Sequence, residues 1–260
     1  MTKRLRSLML LGLMCLAGCN TRVASISHSE FLDPRTDERP GRANDLAFQY
    51  RGELTEFDVL GIARGELTSE ASIRRALDEA RKVKLQSDSS IILIQSGALF
   101  PDGGMISELG KHFRVMPFTG VPPQERNAGA TATTDPETFA KSLRLAAARA
   151  GNDVIVCYWG FLESRSENLP TKTVSWLPVA NWVLPDEKQR MRIRLKLAIV
   201  DVRSGNWAVF SPAPFENTLT SERKHRAKTD QAQVEKLKAE AYEAAVTDLL
   251  RLYSSQVAAR

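Results

Sequence analysis

The sequence is poor in the residues that most often carry enzyme chemistry. Its 260 residues include three histidines and three cysteines. His28 lies in a polar segment and His225 in a run of charged residues, so His112 is the one candidate general base. The local signatures GxSxG, HExxH and CxxC are absent, which argues against serine hydrolases, zincins and thioredoxin-like proteins. A hydrolase that uses His112 stays open as an alternative, because catalytic triads are set by geometry rather than by order along the chain.

The sequence also has no apolar run long enough to span a bilayer. Residues 8–16 form an apolar run, whereas a spanning helix needs about 20 residues. Small residues follow this run and cations precede it, namely Lys3, Arg4 and Arg6. A cationic start, a short apolar run and small residues are typical of a secretory signal peptide. We therefore expect residues 1–18 to be removed on export.

The tetrad Leu16-Ala17-Gly18-Cys19 resembles the bacterial lipobox. The resemblance implies that the sulfur of Cys19 takes a diacylglycerol, that cleavage occurs before Cys19, and that the new amino terminus is acylated with a fatty acid such as palmitate. Several acyl chains anchor a protein durably, since each buried methylene contributes roughly 0.8 kcal/mol. By resemblance to Gram-negative lipoproteins, Asn20 in place of Asp favours the outer membrane. The expected location is therefore the outer membrane, facing the periplasm.

Charge and cysteine content exclude further classes. The chain has 36 Lys and Arg against 31 Asp and Glu, a net charge of +5. Three of these cations leave with the signal peptide, so the mature chain carries about 5 − 3 = +2, too little concentrated charge to indicate nucleic acid as a partner. Loss of Cys15 leaves Cys19 and Cys157, so the mature monomer has no internal disulfide. Cys157 lies within an apolar run, which predicts an inert core thiol. We expect no metal and no cofactor.

Residues 19–45 are polar and contain Pro34 and Pro40, which predicts a flexible tether that spans roughly 25–30 Å. Residues 46–260 are predicted to form a single α/β domain, with helices packed on a mixed sheet of about four to six strands. Helices are predicted at 68–85, 105–111, 135–150 and 230–253. Strands are predicted at 89–95, 113–118, 153–159, 190–202 and 207–210, with residues 161–188 as an insertion between the third and the fourth.

The segments IILIQSGA, GKHFRVMPF, AGNDVIVCYWG and LKLAIVDVRSGNW follow one another in this order. This succession resembles the envelope lipoprotein domains of the curli-secretion and penicillin-binding-protein-activator type, which share a fold with the N-terminal domain of the Tol-system translocation protein. The resemblance implies an α/β architecture and a role in an envelope complex. A subunit of a secretion pore is a further alternative, but such a pore needs two amphipathic hairpins per subunit and only residues 174–197 offer one.

Two features are better suited to contact than to catalysis. Trp176 and Trp182 lie in a proline-broken apolar stretch, and tryptophan is favoured in interfaces; the alternative is that this stretch folds back over the sheet of its own domain. A strand with cations on every second residue carries Arg190, Arg192, Arg194 and Lys196, which suits an anionic partner, although a solvated sheet face is the ordinary interpretation. The turn Asp102-Gly103-Gly104 could present backbone N–H groups to an anion, but lacks the longer phosphate-loop spacing. We predict a non-enzymatic interaction module with a protein partner, and a homo-oligomer stays open.

Overall fold

The computed structural model describes residues 20–27, 52–62, 69–122, 135–168, 187–221 and 226–254. Cys19, His28, His225 and most of the predicted tether lie outside these residues. So do Trp176 and Trp182.

The described chain folds around one mixed sheet of seven strands in which the main order is β3-β2-β4-β5-β6. Strand β1 pairs with β4 and β7 pairs with β5. The strands β2, β3 and β4 are parallel, and the other pairings are antiparallel. The bounds are β1 Asn20–Ser25, β2 Ser90–Gln95, β3 Arg114–Phe118, β4 Val154–Asn168, β5 Glu187–Asp201, β6 Trp207–Phe210 and β7 Phe215–Ser221. The predicted α/β class is confirmed, with more strands than expected because β1 and β7 were not predicted.

The strands β4 and β5 form a long antiparallel hairpin of 15 residues each, paired from Val154 with Asp201 to Asn168 with Glu187. At about 3.3 Å per residue the hairpin is roughly 45 Å long. Its inner half pairs with β2 and β6, and its outer half, residues 161–168 and 187–194, pairs with β1 and β7. The prediction that residues 161–188 form an insertion is wrong at both ends, since residues 161–168 and 187–188 continue the strands.

The helices lie on both faces of the sheet. The described residues contain five, namely α1 Glu56–Leu60, α2 Glu70–Glu79, α3 Gly103–Gly110, α4 Pro136–Arg149 and α5 Arg226–Tyr253. Helices α3 and α5 cover one face over a large core cluster. Helices α1 and α4 pack on each other and cover the second face over a smaller cluster, which lies on the inner half of the hairpin. The outer half of this second face is therefore left open among the described residues.

Local signals account well for several elements. The side chain of Asp135 caps α4 by accepting a hydrogen bond from the N–H of Thr138 at 3.1 Å, Pro136 begins the helix, and Gly151 follows it with φ of +72°. These are the favoured residues at a helix start and stop. Every residue of β2 is buried, as expected for a strand covered on both faces. The strand β3 lies at an edge of the sheet, which agrees with Pro117 near its end.

The first predicted helix is shorter than expected and buries nothing. Helix α2 begins after the capping residue Ser69, ends at Glu79, and leaves Leu77 72% exposed. The prediction that this helix extends to residue 85 is therefore wrong. Val83 and Leu85 enter the core instead. The N–H of Leu85 donates to the carbonyl of Tyr253 at 2.8 Å, so this segment is extended and packs beside the end of α5.

The start of the predicted tether is a strand. The strand β1 pairs with the outer half of β4, from Asn20 opposite Ser166 to Ser25 opposite Phe161. Ile26 then donates from its N–H to the carbonyl of Gly160 at 2.9 Å and is buried. Gly160 leaves room for this side chain, because a Cβ at position 160 would lie 2.2 Å from Cδ1 of Ile26 and the isoleucine would have to shift. Residues 20–27 thus belong to the folded domain, and residues 28–45 of the predicted tether lie outside the described part.

Candidate functional site

The four cations predicted as a contact surface lie together on the open face of the sheet. Between them Met191, Ile193 and Leu195 point to the opposite face and are buried in the larger core cluster, so the predicted alternation along this strand is confirmed. We call the exposed surface the arginine face and define it by Phe161, Glu163, Arg190, Arg192, Arg194 and Lys196.

Carboxylates hold these cations in place. The Nε of Arg192 donates to Oε2 of Glu163 at 2.8 Å and its Nη2 contacts the same oxygen. The Nε of Arg194 lies 3.0 Å from Oε1 of Glu163, so one carboxylate binds two guanidinium groups. Sequence analysis missed this partner, although Glu163 lies directly opposite Arg192 in the register of β4 and β5.

Two further carboxylates reach the arginine face from other elements. The Nε of Arg190 lies 2.9 Å from Oε1 of Glu216 on β7, and the Nζ of Lys196 lies 2.5 Å from Oε1 of Glu56 on α1. Four cations and three carboxylates leave a local charge of 4 − 3 = +1. The face is therefore an ordered lattice of ion pairs rather than the strongly cationic surface that the sequence suggested.

Apolar side chains border the same lattice. Phe161 lies on this face and is partly exposed, and Val23 of β1 is 63% exposed. Val23 stands opposite Glu163 in the register, so both point to the arginine face. Arginine and aromatic residues together are characteristic of protein interfaces.

A second polar site lies at the carboxyl ends of the parallel strands. We call it the tyrosine–aspartate cluster and define it by Gln95, Asp102, Tyr158, Lys238 and Tyr242. The hydroxyl of Tyr158 donates to Oε1 of Gln95 at 2.5 Å, and the N–H of Asp102 donates to the same oxygen at 2.7 Å. The carboxylate of Asp102 accepts from the hydroxyl of Tyr242 at 2.5 Å and lies 3.1 Å from Nζ of Lys238. The cluster therefore joins β2 and β4 to α3 and α5.

The segment after β1 is connected to this cluster through Ser27. The Nε2 of Gln95 donates to Oγ of Ser27 at 3.1 Å, and this hydroxyl donates to the carbonyl of Ser96 at 2.6 Å. The N-terminal strand is thus held by the sheet ladder, by Ile26 and by a polar contact with the centre of the domain.

The two tyrosines of the cluster act as neutral donors. Burial raises the pKa of Tyr158 well above its ordinary range, and the nearby carboxylate of Asp102 raises it further. Burial also raises the pKa of Tyr242, with smaller contributions from Tyr158 and Asp102. The turn at Asp102 offers little to an anion, because its N–H is already bonded and its own carboxylate lies at the start of α3. The role of this cluster is to fasten the elements together.

The remaining candidate residues are isolated. His112 is exposed, and its ring lies edge-on to Phe113 with centroids 6.3 Å apart. Over the described ranges no hydrogen bond joins its imidazole to a carboxylate or a hydroxyl, so the hydrolase alternative gains no support. Cys157 is buried, and burial raises the pKa of its thiol far above the ordinary range, as expected for an inert thiol. In the part of the chain that the structure describes, no group of His, Cys, Asp and Glu is suited to a metal ion.

The region nominated for a membrane hairpin of a pore is partly described. Its residues 187–197 belong to β5, which is paired on both sides within the domain. Among the helices described, none is long and apolar enough to cross a membrane.

These observations define a class: an α/β domain that is rigidly fastened at its N-terminal strand and exposes one ordered polar sheet face. The family model of the YafT bacterial lipoproteins matches residues 55–252, from the start of α1 to the end of α5, and the chain belongs to this family. Membership implies a lipid anchor and association with a membrane of the bacterial envelope. A search of curated proteins finds no match.

Proposed function

We propose that this lipoprotein is acylated on Cys19 after removal of residues 1–18 and is held at the outer membrane, facing the periplasm. We further propose that its domain is a non-catalytic interaction module of an envelope complex. The resemblance to curli-secretion and penicillin-binding-protein-activator domains supports a role in assembly. The observation that carries the proposal is the arginine face, a sheet surface that the described helices leave open while they cover the rest of the same face.

The arginine face has the properties of a prepared contact surface. The two guanidinium groups bound to Glu163 are already ordered, so a partner loses less side-chain entropy when it binds them. Arginine also offers planar, bidentate hydrogen bonding to carboxylates. The preferred partner is therefore a protein segment with carboxylates that can share or replace Glu163, flanked by apolar side chains that cover Phe161.

Trp176 and Trp182 are proposed as a second contact. They lie outside the described residues, but the chain that carries them leaves the sheet at Asn168 and returns at Glu187, and these two residues are paired. The connecting segment therefore starts and ends at the outer end of the hairpin. Tryptophan side chains supply large apolar area at low entropic cost, which suits them to anchor a partner.

Acylation is tested by labelling cells with a clickable fatty acid and comparing the wild-type chain with Cys19→Ser. We expect the wild type to be labelled and to fractionate with the outer membrane. The variant should be unlabelled and found in the periplasmic fraction. A variant that stays equally membrane-bound would refute Cys19 as the anchor, and an inner-membrane wild type would refute the proposed location.

The interaction is tested by crosslinking and affinity capture from native membranes. The double variant Arg192→Ala and Arg194→Ala removes both guanidinium groups from Glu163. The matched control is Arg75→Ala and Arg149→Ala, which removes two exposed arginines from helices α2 and α4. We expect the first pair to lose a crosslinked partner that the control retains. A partner yield equal in both would refute the arginine face, and Trp176→Ala with Trp182→Ala tests the second contact in the same way.

A further inference from the structure

We propose that the outer end of the β4–β5 hairpin rests on the anionic phospholipid headgroups of the membrane, with β1 as a rigid link that stands the domain end-on. This inference rests on the proposed acylation of Cys19. It adds a lipid contact and an orientation to the anchor.

The register of β1 fixes where the anchor lies. Asn20 stands opposite Ser166, and the last pair of the hairpin is Asn168 with Glu187. Asn20 is therefore two positions from the last pair, roughly 7 Å along the strands at about 3.3 Å per residue. Cys19 is bonded directly to Asn20 in the chain. The acyl chains and the end of the hairpin are therefore neighbours.

The link between the anchor and the domain is too short to let the domain reorient freely. A coil of 25 residues would let the domain take any orientation at roughly 25–30 Å from the lipid. Here the strand ladder begins at Asn20. Ile26 is buried against Gly160, and Ser27 bonds to Gln95. Only the backbone of Cys19 separates the acyl chains from the sheet, so the outer end of the hairpin must face the bilayer.

The outer end of the hairpin carries more positive charge than the inner end, as the proposed orientation requires. Arg190 is paired with Glu216. The other strand residues from position 164 to position 168 of β4, together with the residues paired to them, include three cations and two anions, a balance of 3 − 2 = +1: Arg22, Arg165, Lys188, Glu167 and Glu187. At the inner end Asp153 and Asp201 are balanced by Arg203 and by Arg144, whose Nη2 donates to the carbonyl of Arg203 at 3.1 Å, so the balance there is 2 − 2 = 0. Juxtamembrane cations are attracted by anionic lipids, so this division favours the same orientation as the anchor does.

The opposite end of the hairpin is far from the lipid in this orientation. The turn at Arg203 follows Asp201, which pairs with Val154 at the inner end. The two ends are about 45 Å apart at 3.3 Å per residue. A probe at each end therefore distinguishes an end-on domain from a tethered one.

The experiment uses the full acylated chain in vesicles of phosphatidylcholine with and without phosphatidylglycerol. A fluorophore is attached at Ser164→Cys or at Arg203→Cys. Native Cys157 is buried and should not react. A quencher carried on a lipid headgroup then reports proximity. We expect strong quenching at position 164 and none at position 203, and equal quenching at both positions would overturn the proposal.

The lipid chemistry is tested by neutralising cations in the Ser164→Cys chain. Arg165→Gln with Lys188→Gln should reduce quenching on phosphatidylglycerol vesicles, and added salt should act in the same direction. The matched control, Arg149→Gln with Arg203→Gln, should change nothing. A contact that is independent of phosphatidylglycerol and of both cations would refute the headgroup contact.

Mass spectrometry of the amino-terminal peptide separates this inference from the proposal on which it depends. If the peptide carries no acyl groups and the chain does not sediment with vesicles, the acylation of Cys19 fails. If the peptide is acylated but both labels are quenched alike, only the end-on orientation fails.

Discussion

Replacement of Ile26 by alanine tests whether β1 belongs to the folded domain. Ile26 is 5% exposed and packs in the larger core cluster beside Gly160 and Leu195. Substitutions of buried isoleucine by alanine cost about 2–5 kcal/mol, because they remove apolar contacts and leave a cavity. Among residues 23–27, whose exposure the structure describes, Ile26 alone is buried, and this edge can partly relax. We therefore expect a loss of about 2–3 kcal/mol in the free energy of unfolding.

The measurement is urea unfolding of the mature chain with Cys19→Ser, which removes the acylation site. A loss of this size should lower the urea midpoint with an unchanged slope, since the surface exposed on unfolding stays similar. For a domain of this length it should also lower Tm by about 4–12 °C, at roughly 2–4 °C per kcal/mol. The backbone N–H of Ile26, bonded to Gly160, should exchange faster in the variant than in the wild type.

The matched control is Val23→Ala in the same strand. Val23 is 63% exposed, and exposed substitutions usually change stability by about 0.5 kcal/mol or less. The difference between the two variants therefore measures docking of β1 rather than a general effect on the N-terminus. If Ile26→Ala were no more destabilising than Val23→Ala, β1 would be detached in solution and the rigid link would be refuted.

Three further predictions concern the interior. Gly120→Ala would place a Cβ 1.8 Å from a backbone carbonyl oxygen at the end of β2, whereas the Cβ of Gly103→Ala would meet nothing within 4 Å. We expect thermal unfolding to show that Gly120→Ala lowers the free energy of unfolding by about 1–3 kcal/mol or more. Gly103→Ala should be neutral or stabilising. Because the folded pKa of Tyr158 and Tyr242 is raised, the stability that they contribute is complete below pH of about 10, the unfolded value, and declines above it. In a titration followed by tyrosinate absorbance, exposed tyrosines should therefore ionise first, and Tyr158 and Tyr242 only when the protein unfolds at alkaline pH. Ionisation of every tyrosine in the folded state would contradict the burial of these two. Cys157 should resist a thiol reagent in buffer and react fully in denaturant, and rapid reaction in buffer would contradict its placement.

Sequence analysis predicted the elements that carry their own signals. The helix from Asp135 to Gly151 has a cap, an N-terminal proline and a left-handed stop. The buried run at residues 90–95 and the alternating strand from Arg190 onwards have unambiguous periods. In each case the information lies within about 15 residues of sequence, so no knowledge of the partner strands was needed.

The missed elements depend on partners that are distant in sequence. The strand β1 has a polar sequence, NTRVAS, and is defined by pairing with residues about 140 positions later. The tyrosine–aspartate cluster likewise joins Asp102 to Tyr242 across 140 positions, and Lys196 finds Glu56 across the same separation. Neither hydrophobic periodicity nor a short motif encodes such contacts. The helix predicted over 68–85 ends early, at Glu79, for a related reason. The N–H of Leu85 bonds to the carbonyl of Tyr253 instead of to a helical neighbour.

The docking of β1 changes what the lipid anchor can do for the arginine face. A flexible tether raises the local concentration of a domain but leaves its orientation free, so any exposed surface could meet a partner. When the anchor residue adjoins a strand of the same sheet, anchor and contact surface become parts of one body. In the proposed end-on orientation the arginine face stands along the membrane normal, because its residues run along the hairpin, and it would meet partners from the side. Its reach from the lipid is set by the hairpin, about 45 Å at 3.3 Å per residue, rather than by coil length. Inserting a flexible linker between Cys19 and Asn20 should therefore preserve acylation and stability while weakening capture of a membrane-bound partner.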